Sequence, residues 1–486
     1  MQSLTGLDAA FLSFETANAP LQVGAVMVFE PPGKQFLFSD TARFGFHKRL
    51  IEQRLHLAPP LRRRALEVPF GIGQPVWIED PELDLDSHVK RTRLPTPGGE
   101  GELNELVADL LARQLDRSRP LWEMSMVEGL EGGRNALVAK LHHAMLDGVS
   151  GASLMASFLD LGPRPREIEP QTEAWAPEPV PSAVSLMRRA VAATVRDPGL
   201  AAGALQRSIK IMTGLSDQKR RLAAAGGTPA PAAFAAPHTS LNGSISTLRK
   251  FATATLSMRD IKLIGKAFGA TVNDVVLALV GGALRELLDN RGEDVDDPLV
   301  AMVPVSTRVR SDKSGGDDAG ATLGNRVSAM LVSLATTIDD PVERLSAISK
   351  SSQASKRRTT VMGPRIVDDL AQLFLPAVST RAAKLLSNLK VFDRMPPIFN
   401  VTVSNVPGPD FDLWFGGCRI EQLYPIGPIM EGVGLNITAM SYVGNLYVGM
   451  LGCKKLVPDL ETLPALMEQS LDDLLSEVPE SIRAAG

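Results

Sequence analysis

Apolar and polar residues in the first part of the chain, about 1–165, repeat with the two periods that distinguish strands from helices. A Val-rich run at 21–30, closed by two prolines, predicts a buried strand. Apolar residues at helical spacing across 102–115 predict an amphipathic helix. Two further strand-like runs flank Gly132 and Gly133, which predicts a hairpin that turns at this pair. The pattern indicates a unit of mixed strands and helices.

The last part of the chain, about 241–486, has the same mixed pattern. A strand-like run, KFATATLSM, precedes a long apolar helix at about 273–288. The run IFNVTVSN predicts another strand, and two later runs predict a hairpin at Gly444 and Asn445. A helix at about 459–476 closes the pattern. Two α/β units joined by a linker are the simplest architecture for this arrangement.

The middle segment, about 166–240, is rich in Pro at its start and in Ala, Pro and Gly at its end, which is typical of a linker. Between these ends, the stretch 185–221 carries eight Arg or Lys residues against two Asp. Its apolar residues, among them Leu186 and Met187, predict a helix that inserts into a membrane surface while the basic residues meet anionic head groups. An ordinary surface hairpin of helices with a solvated charged face explains the same pattern.

Composition narrows the class of protein. Of 486 residues, 44% are apolar and 22% are charged, which is typical of a globular protein, and the net charge of −4 disfavours nucleic acid as a partner. Cys418 and Cys453 do not make a disulfide framework in a chain of this size, so a reducing cytoplasm is the expected compartment. The start of the chain has no signal-peptide pattern. The best apolar run, 275–284, is bounded by charges and predicts a buried helix rather than a membrane span.

The stretch AKLHHAMLDGVSG, 139–151, is the part of the sequence that indicates chemistry. Side chains of a strand alternate between its faces, so His143 shares the face of Ala139 and Leu141, whereas His142 shares that of Lys140. We therefore expect His143 on the apolar, buried face as a general base, because a neutral imidazole suits removal of a hydroxyl proton.

His142 is expected to have a structural role. Adjacent histidines on a strand diverge and no Cys or carboxylate stands at ligand spacing, which argues against a metal site. Asp147 and Gly148 are predicted to turn the chain into a Ser/Ala-rich helix. The chain also has no GxSxG-type nucleophile motif, so a covalent acyl-enzyme is not expected.

This stretch resembles the HHxxxDG motif of thioester-dependent acyltransferases, and further motifs make the resemblance more specific. The ordered set is similar to that of the bacterial wax ester synthase/diacylglycerol acyltransferase family, and the resemblance runs almost end to end outside the linker. The matching segments are GLDAAFLSFETANAPLQVGAV, RPLWEMSMVEGL with Pro120, Leu121 and Trp122, ATVNDVVLALVGGALR with Asn273 and Asp274, VPVSTR, LGNRVS and SNVPGP.

The resemblance implies two chloramphenicol-acetyltransferase-like lobes, each a mixed, mostly antiparallel sheet with helices, and an active-site tunnel between them. The lobes would span 1–165 and 241–486. His143 would deprotonate the acceptor, whose alkoxide attacks the thioester of acyl-CoA directly, with no bound cofactor. The product would be triacylglycerol, wax ester or both, from diacylglycerol or a long-chain alcohol. The implied location is the cytoplasm, in peripheral contact with the inner face of the membrane and with lipid droplets.

Several residues have two interpretations each. Asn273, Ser404 and Asn405 are candidates to stabilise the oxyanion, but Asn273 can instead cap a helix, and Ser404 with Asn405 can instead form a turn. The resemblance also implies that Asp147 is a structural clamp on Arg308. Trp122 is expected to pack in the core rather than to contact substrate.

Two alternative functions fit the same motif. One is a condensation-type acyltransferase that uses a carrier-protein thioester, which the full motif set disfavours. The other is a non-catalytic lipid-droplet protein that kept the fold, against which the intact His143 and Asp147 argue.

Overall fold

Two six-stranded sheets form the framework of the computed structural model. The structure describes residues 1–31, 40–71, 73–147, 151–169, 175, 177–196, 231, 235–294, 296–306, 327–362, 393 and 396–483. The strands in chain order are β1 Gln2–Ser3, β2 Gln22–Phe29, β3 Arg63–Leu66, β4 Val76–Glu79, β5 Val89–Arg93, β6 Trp122–Glu128, β7 Asn135–His142, β8 Asn242–Gly243, β9 Arg249–Ser257, β10 Val300–Ser306, β11 Val327–Ser333, β12 Val401–Val406, β13 Trp414–Phe415, β14 Cys418–Ile426, β15 Gly432–Val433, β16 Leu435–Tyr442 and β17 Asn445–Cys453.

The first sheet has the order β13-β14-β2-β7-β6-β5, and the second has the order β11-β10-β12-β16-β17-β9. Neighbouring strands are antiparallel in both sheets, except that β5 pairs parallel to β6 and that β12 pairs parallel to both β10 and β16. The predicted mixed, mostly antiparallel α/β architecture is confirmed. Both predicted hairpins are also confirmed, since β6 pairs with β7 and β16 pairs with β17. The second one turns at Val443 and Gly444, one residue before the predicted pair, because Asn445 already belongs to β17.

Helices cover these sheets, and the three predicted at about 102–115, 273–288 and 459–476 are present with ends within four residues of those bounds. In chain order they are α1 Gly6–Phe14, α2 Asp40–Arg54, α3 Leu85–His88, α4 Glu100–Ala112, α5 Gly151–Phe158, α6 Ala183–Arg196, α7 Met258–Phe268, α8 Val272–Asn290, α9 Pro341–Met362, α10 Leu463–Ser476 and α11 Glu480–Arg483.

The long helix α8 is the centre of the second hydrophobic core. Its residues from Asp274 to Leu284 are all buried, and it packs against α9, α10 and the second sheet. Among the described residues, none of the helices taken alone combines the length and the hydropathy of a membrane-spanning segment. Helices α7 and α8 meet both criteria only when taken together, and the pair bends by 102°.

Strand β14 connects the two halves of the molecule, because it lies late in the chain but pairs with β2 of the first sheet. It also contacts β16 and β17 of the second sheet. The hydroxyl of Tyr424 on β14 lies 3.0 Å from that of Thr255 on β9, and its ring meets Tyr447 edge-on at 5.3 Å. The carbonyl of Pro425 lies so close to Gly449 that a Cβ there would approach it to 2.0 Å. The first sheet therefore includes strands from the last part of the chain.

The basic helix α6 packs on the protein through part of its apolar side. Leu186, predicted to insert into a membrane, is instead buried at 4% exposure against Val68, Val76 and Ile78, and the prediction for this residue was wrong. The remainder of the basic segment beyond α6, residues 197–221, lies outside the described residues.

Candidate active site

The two adjacent histidines of the HHAMLDG stretch lie where β7 ends. In the central pairing of the first sheet, His142 stands opposite Gln22 of β2. His143 is the first residue of a 3-10 turn that runs to Asp147, and its N–H donates to the carbonyl of Leu21 at 2.9 Å. The end of one strand and the start of its neighbour thus fix the backbone of His143.

The imidazole of His143 stacks on the ring of Phe11, with 4.0 Å between ring centroids and 27° between ring planes. The side chain is half-buried, and its Nδ1 atom has no hydrogen-bond partner among the described residues. Burial lowers the pKa of His143 to about 4. The ring is therefore neutral at pH 7, which is the protonation state that a general base requires.

The imidazole of His142 is more deeply buried than that of His143 and makes a hydrogen bond to the backbone. The ring is 1% exposed, and its Nδ1 accepts a hydrogen bond from the backbone N–H of Ala144 at 3.1 Å. Burial lowers the pKa of His142 to about 3, so the ring is neutral. Because Nδ1 is an acceptor, the ring proton resides on Nε2.

The basis for separating the two histidines by strand parity was wrong, because both faces of β7 are covered. Lys140, on the face of His142, is 3% exposed and donates from Nζ to the carbonyls of Leu110 and Arg113. A central strand in a sheet with both faces packed carries no buried-versus-exposed alternation. The hydrogen bonds distinguish the two rings instead: His142 holds the backbone of the next turn, whereas Nδ1 of His143 has no described partner.

Sequence reasoning did not single out Glu15 and Arg117, which lie beside His142. The Oε1 atom of Glu15 is 3.7 Å from His142 Nε2, and its Oε2 atom accepts from Nε and Nη2 of Arg117 at 3.1 and 2.8 Å. Glu15 stands in the N-terminal stretch that resembles the family. An acid directly after the apolar run of α1 was the available signal.

The proposed clamp of Asp147 on Arg308 lies outside the described residues. The backbone of Asp147 ends the 3-10 turn, but its side chain, Gly148 and Arg308 are not described. The clamp stays a prediction.

The start of α8 shows that Asn273 does not cap this helix. Thr271 is the N-cap and accepts from the N–H of Asp274, whose carboxylate accepts in return from the N–H of Thr271 at 3.1 Å. The Nδ2 atom of Asn273 is buried without a hydrogen-bond partner among the described residues. Its amide is thus an uncommitted donor, although no hydrogen bond or ring contact between described residues joins it to His143.

The alternative interpretation of Ser404 and Asn405 as turn residues was wrong. Both lie within β12, where Ser404 is in register with Thr438 of β16 and Asn405 with Ala439. The chain turns after β12, where the N–H of Gly408 donates to Ser441 Oγ at 3.1 Å.

The PLW residues belong to the first hydrophobic core. Pro120 is buried, Leu121 is 0% exposed and Trp122 is 1% exposed. The Trp122 indole donates to the carbonyl of Leu61 at 2.7 Å and stacks on His88, with 4.4 Å between centroids. This placement makes Trp122 a packing residue.

Residues that could bind a metal do not gather in the described part of the chain, where no group of three His, Cys, Asp or Glu side chains is suitably placed. Cys418 and Cys453 are both buried and are not bonded to each other.

Comparison with solved structures agrees with this arrangement. The wax ester synthase/diacylglycerol acyltransferase from Marinobacter aquaeolei is 29% identical with a TM-score of 0.69, and the match covers 98% of this chain and 100% of that one. The trichothecene 15-O-acetyltransferase from Fusarium sporotrichioides has a TM-score of 0.59 at 12% identity, over 98% of this chain and 94% of that one. The second likeness concerns the fold alone.

Comparison of sequences gives the family. Residues 4–276 match the wax ester synthase/diacylglycerol acyltransferase catalytic domain, and residues 323–475 match the WS/DGAT C-terminal domain. A probable diacylglycerol O-acyltransferase of Mycobacterium tuberculosis is 36% identical over 478 residues, which cover 96% of this chain and 97% of the relative. A putative diacylglycerol O-acyltransferase of the same species is 34% identical, over 98% of this chain and 90% of the relative. The chain therefore belongs to the wax ester synthase/diacylglycerol acyltransferase family.

Proposed function

We propose that this chain transfers a fatty acyl group from acyl-CoA to the hydroxyl of diacylglycerol or of a long-chain alcohol, with His143 as the general base. The observation that carries the proposal is the neutral, half-buried imidazole of His143, held by Phe11 and by the backbone of Leu21. The relatives are named as diacylglycerol acyltransferases and as a wax ester synthase, which supports this class of acceptor.

In the proposed reaction, the imidazole of His143 takes the proton of the acceptor hydroxyl as its oxygen attacks the thioester carbonyl. A C–O bond forms, and negative charge develops on the carbonyl oxygen. Collapse of this intermediate breaks the C–S bond, and the imidazolium returns the proton to the leaving thiolate. The products are the ester and coenzyme A, and the enzyme is regenerated without a covalent acyl-enzyme or a bound cofactor.

An oxyanion needs donors that are already in place, and one such donor contributes about 3–4 kcal/mol of transition-state stabilisation. The buried amide of Asn273 supports a role of this kind, since its Nδ2 atom has no partner among the described residues. Ser404 and Asn405 on β12 are further candidates for the same role.

The test is an assay of purified protein with labelled palmitoyl-CoA, offered dioleoylglycerol or hexadecanol. We expect labelled triacylglycerol, wax ester or both, and loss of at least about 100-fold in kcat for His143→Ala, as is typical when a general base is removed. His47→Leu is the matched control, because His47 is also a buried neutral histidine but stacks on Phe415 away from this motif. Absence of ester formation with either acceptor would overturn the proposal.

The water-insoluble acceptors require contact with a lipid surface, and α6 is the described element that best supports it. Leu186 and Ala190 anchor this helix to the protein, whereas Val184 and Val191 are 57% and 51% exposed beside exposed basic residues. Phe70, in the adjoining turn, is 83% exposed. Anionic head groups would meet the basic side chains while these apolar residues enter the membrane interface.

Such contact would hold the enzyme peripherally at the cytoplasmic face of the membrane and on lipid droplets. Co-sedimentation with phosphatidylglycerol vesicles, compared with phosphatidylcholine vesicles, tests it. We expect the double variant Phe70→Ser, Val191→Ser to bind several-fold more weakly, and Leu248→Ser, an exposed apolar residue of the other lobe, to bind as wild type does. Unchanged binding of the double variant would exclude this surface.

A further inference from the structure

Glu15 is a buried acid at the C-terminal end of α1, and its placement has an energetic cost. The side chain is 1% exposed, and burial raises its pKa while the Arg117 guanidinium opposes that shift. Arg117 also donates to the carbonyl of Leu12 at 2.6 Å, so the guanidinium is fixed against α1. Removing a carboxylate from water costs free energy unless ion pairs and hydrogen bonds offset the loss of hydration, so the contacts of Glu15 must stabilise it.

The Oε1 atom of Glu15 faces His142. It lies 3.7 Å from His142 Nε2, and neither atom has a hydrogen-bond partner among the described residues. His142 Nδ1 accepts from the N–H of Ala144, so its proton resides on Nε2 and points toward an acceptor. The carboxylate therefore favours the one tautomer of His142 that can hold the Ala144 amide.

Ala144 follows His143 directly, so this hydrogen bond sets the backbone on one side of the base. The other side is set by Leu21, whose carbonyl accepts from the N–H of His143 at 2.9 Å. The backbone N–H of Leu21 also stabilises the carboxylate of Glu15. Two hydrogen bonds thus fix the backbone around His143, one made by His142 and one by Leu21, and Glu15 lies beside both of these residues.

We propose that Glu15 is a positioning residue that acts through His142, holding its imidazole in the Nε2–H tautomer so that the turn after β7 aims His143 at the acceptor hydroxyl. This inference rests on the proposed role of His143 as the base. Outer partners that orient a working histidine in this way change activity by about 10–100-fold at metal sites, and we expect a similar range here.

A purely structural role is the competing explanation, in which Glu15 only anchors Arg117 to α1. The chain offers a matched control for that role, since Glu67 binds the same guanidinium through Arg117 Nη1 at 3.2 Å but is 70% exposed. Glu67→Gln should leave kcat within twofold of wild type. Glu15→Ala should lower kcat by about 10–100-fold while KM for palmitoyl-CoA changes less than threefold. Glu15→Gln, which keeps an acceptor oxygen and the side-chain shape, should recover part of the loss.

Variants of His142 test whether Glu15 acts through that ring. His142→Asn keeps an acceptor near the position of Nδ1, whereas His142→Gln keeps a polar group near Nε2 and loses the acceptor for Ala144. We expect the Asn variant to retain more activity than the Gln variant. In the His142→Gln background, Glu15→Gln should lower kcat less than twofold, because Glu15 acts through His142 and that ring is already absent. Independent, multiplicative losses from the two substitutions would overturn the proposal, as would a kcat for Glu15→Ala within twofold of wild type.

A measurement that requires no catalytic turnover tests the role of Glu15 independently of whether the protein transfers acyl groups. Nitrogen-15 NMR of protein labelled at histidine, assigned with His142→Asn, reports which ring nitrogen carries the proton. We expect the Nε2–H tautomer of His142 in wild type and in Glu67→Gln, and a mixed or reversed tautomer in Glu15→Ala. An unchanged tautomer in folded Glu15→Ala would overturn the proposal even if the wild type transferred acyl groups. If the His142 tautomer changes as expected in Glu15→Ala but the wild type transfers no acyl group, the positioning role of Glu15 stands and only the proposed function is rejected.

Discussion

The guanidinium of Arg54 donates two hydrogen bonds to the carboxylate of Asp160, at 2.8 and 2.9 Å, and both side chains are at most 2% exposed. Asp160 follows α5, the helix after the HHAMLDG stretch, and its backbone pairs with Trp414 of β13. This ion pair therefore links three parts of the molecule. They are helix α2, the segment after α5 that follows the candidate active site, and strand β13 at the edge of the first sheet.

Asp160→Asn should destabilise the protein by about 3–5 kcal/mol, because it leaves the charge of Arg54 buried without its counter-ion. Urea unfolding at pH 7.5 measures the change. The control is Asp86→Asn, which breaks the exposed pair of Asp86 with Lys48 and should change stability little. Similar losses in the two variants would contradict the buried character of the Arg54 pair.

The acid limb of the activity profile should lie near pH 4 rather than near pH 6.5. Burial lowers the pKa of His143 to about 4, so the base stays deprotonated and competent well below the pKa of a solvated imidazole. Measurement of kcat/KM from pH 4 to pH 8 checks this, with circular dichroism at each pH to confirm that the protein is folded. An inflection near pH 6.5 in folded protein would show that the base is a solvated group.

Acid should destabilise the fold through its buried histidines, of which His47 is the cleanest case. Burial lowers the pKa of His47 to about 4, below the unfolded value of about 6.5. Between these values the unfolded chain binds more protons, so stability falls as the pH drops.

Replacing His47 by Leu removes this one contribution. The loss of unfolding free energy from pH 7.5 to pH 5 should then be smaller than in wild type by about 1–2 kcal/mol. Urea titrations at the two pH values measure it. An identical loss in wild type and variant would mean that His47 is not a buried neutral group.

Neighbouring substitutions at the start of α8 should separate chemistry from stability. Asn273→Ala should lower kcat by about 100-fold or more and leave the melting temperature near that of wild type, if its buried amide stabilises the oxyanion. Asp274→Ala should instead lower stability by about 1–2 kcal/mol, because its carboxylate completes the capping box with Thr271. Measurement of kcat and of the melting temperature for both variants distinguishes a catalytic role of Asn273 from a stabilising role of Asp274. Full activity of Asn273→Ala would exclude it as a donor.

Much of the fold could be predicted from the sequence because helices and strands follow local periodicity. The two hairpins are examples, since glycines that adopt positive φ separate strand-like apolar runs at both places. The candidate base was likewise found from a local motif. Its surroundings were not, because Glu15 reaches His142 only through the packing of α1 against the turn after β7.

Local patterns in the sequence were enough to predict the main strands and helices, the motif set and hence the family, since each depends on residues close together in the chain. Three features became known only from the folded molecule: β14 completes the first sheet beside β2, both faces of β7 are covered, and Leu186 faces the protein. The physical reason is the same for all three. A periodic pattern shows that a face is apolar, but the partner that buries this face comes from distant segments, and only their packing determines it.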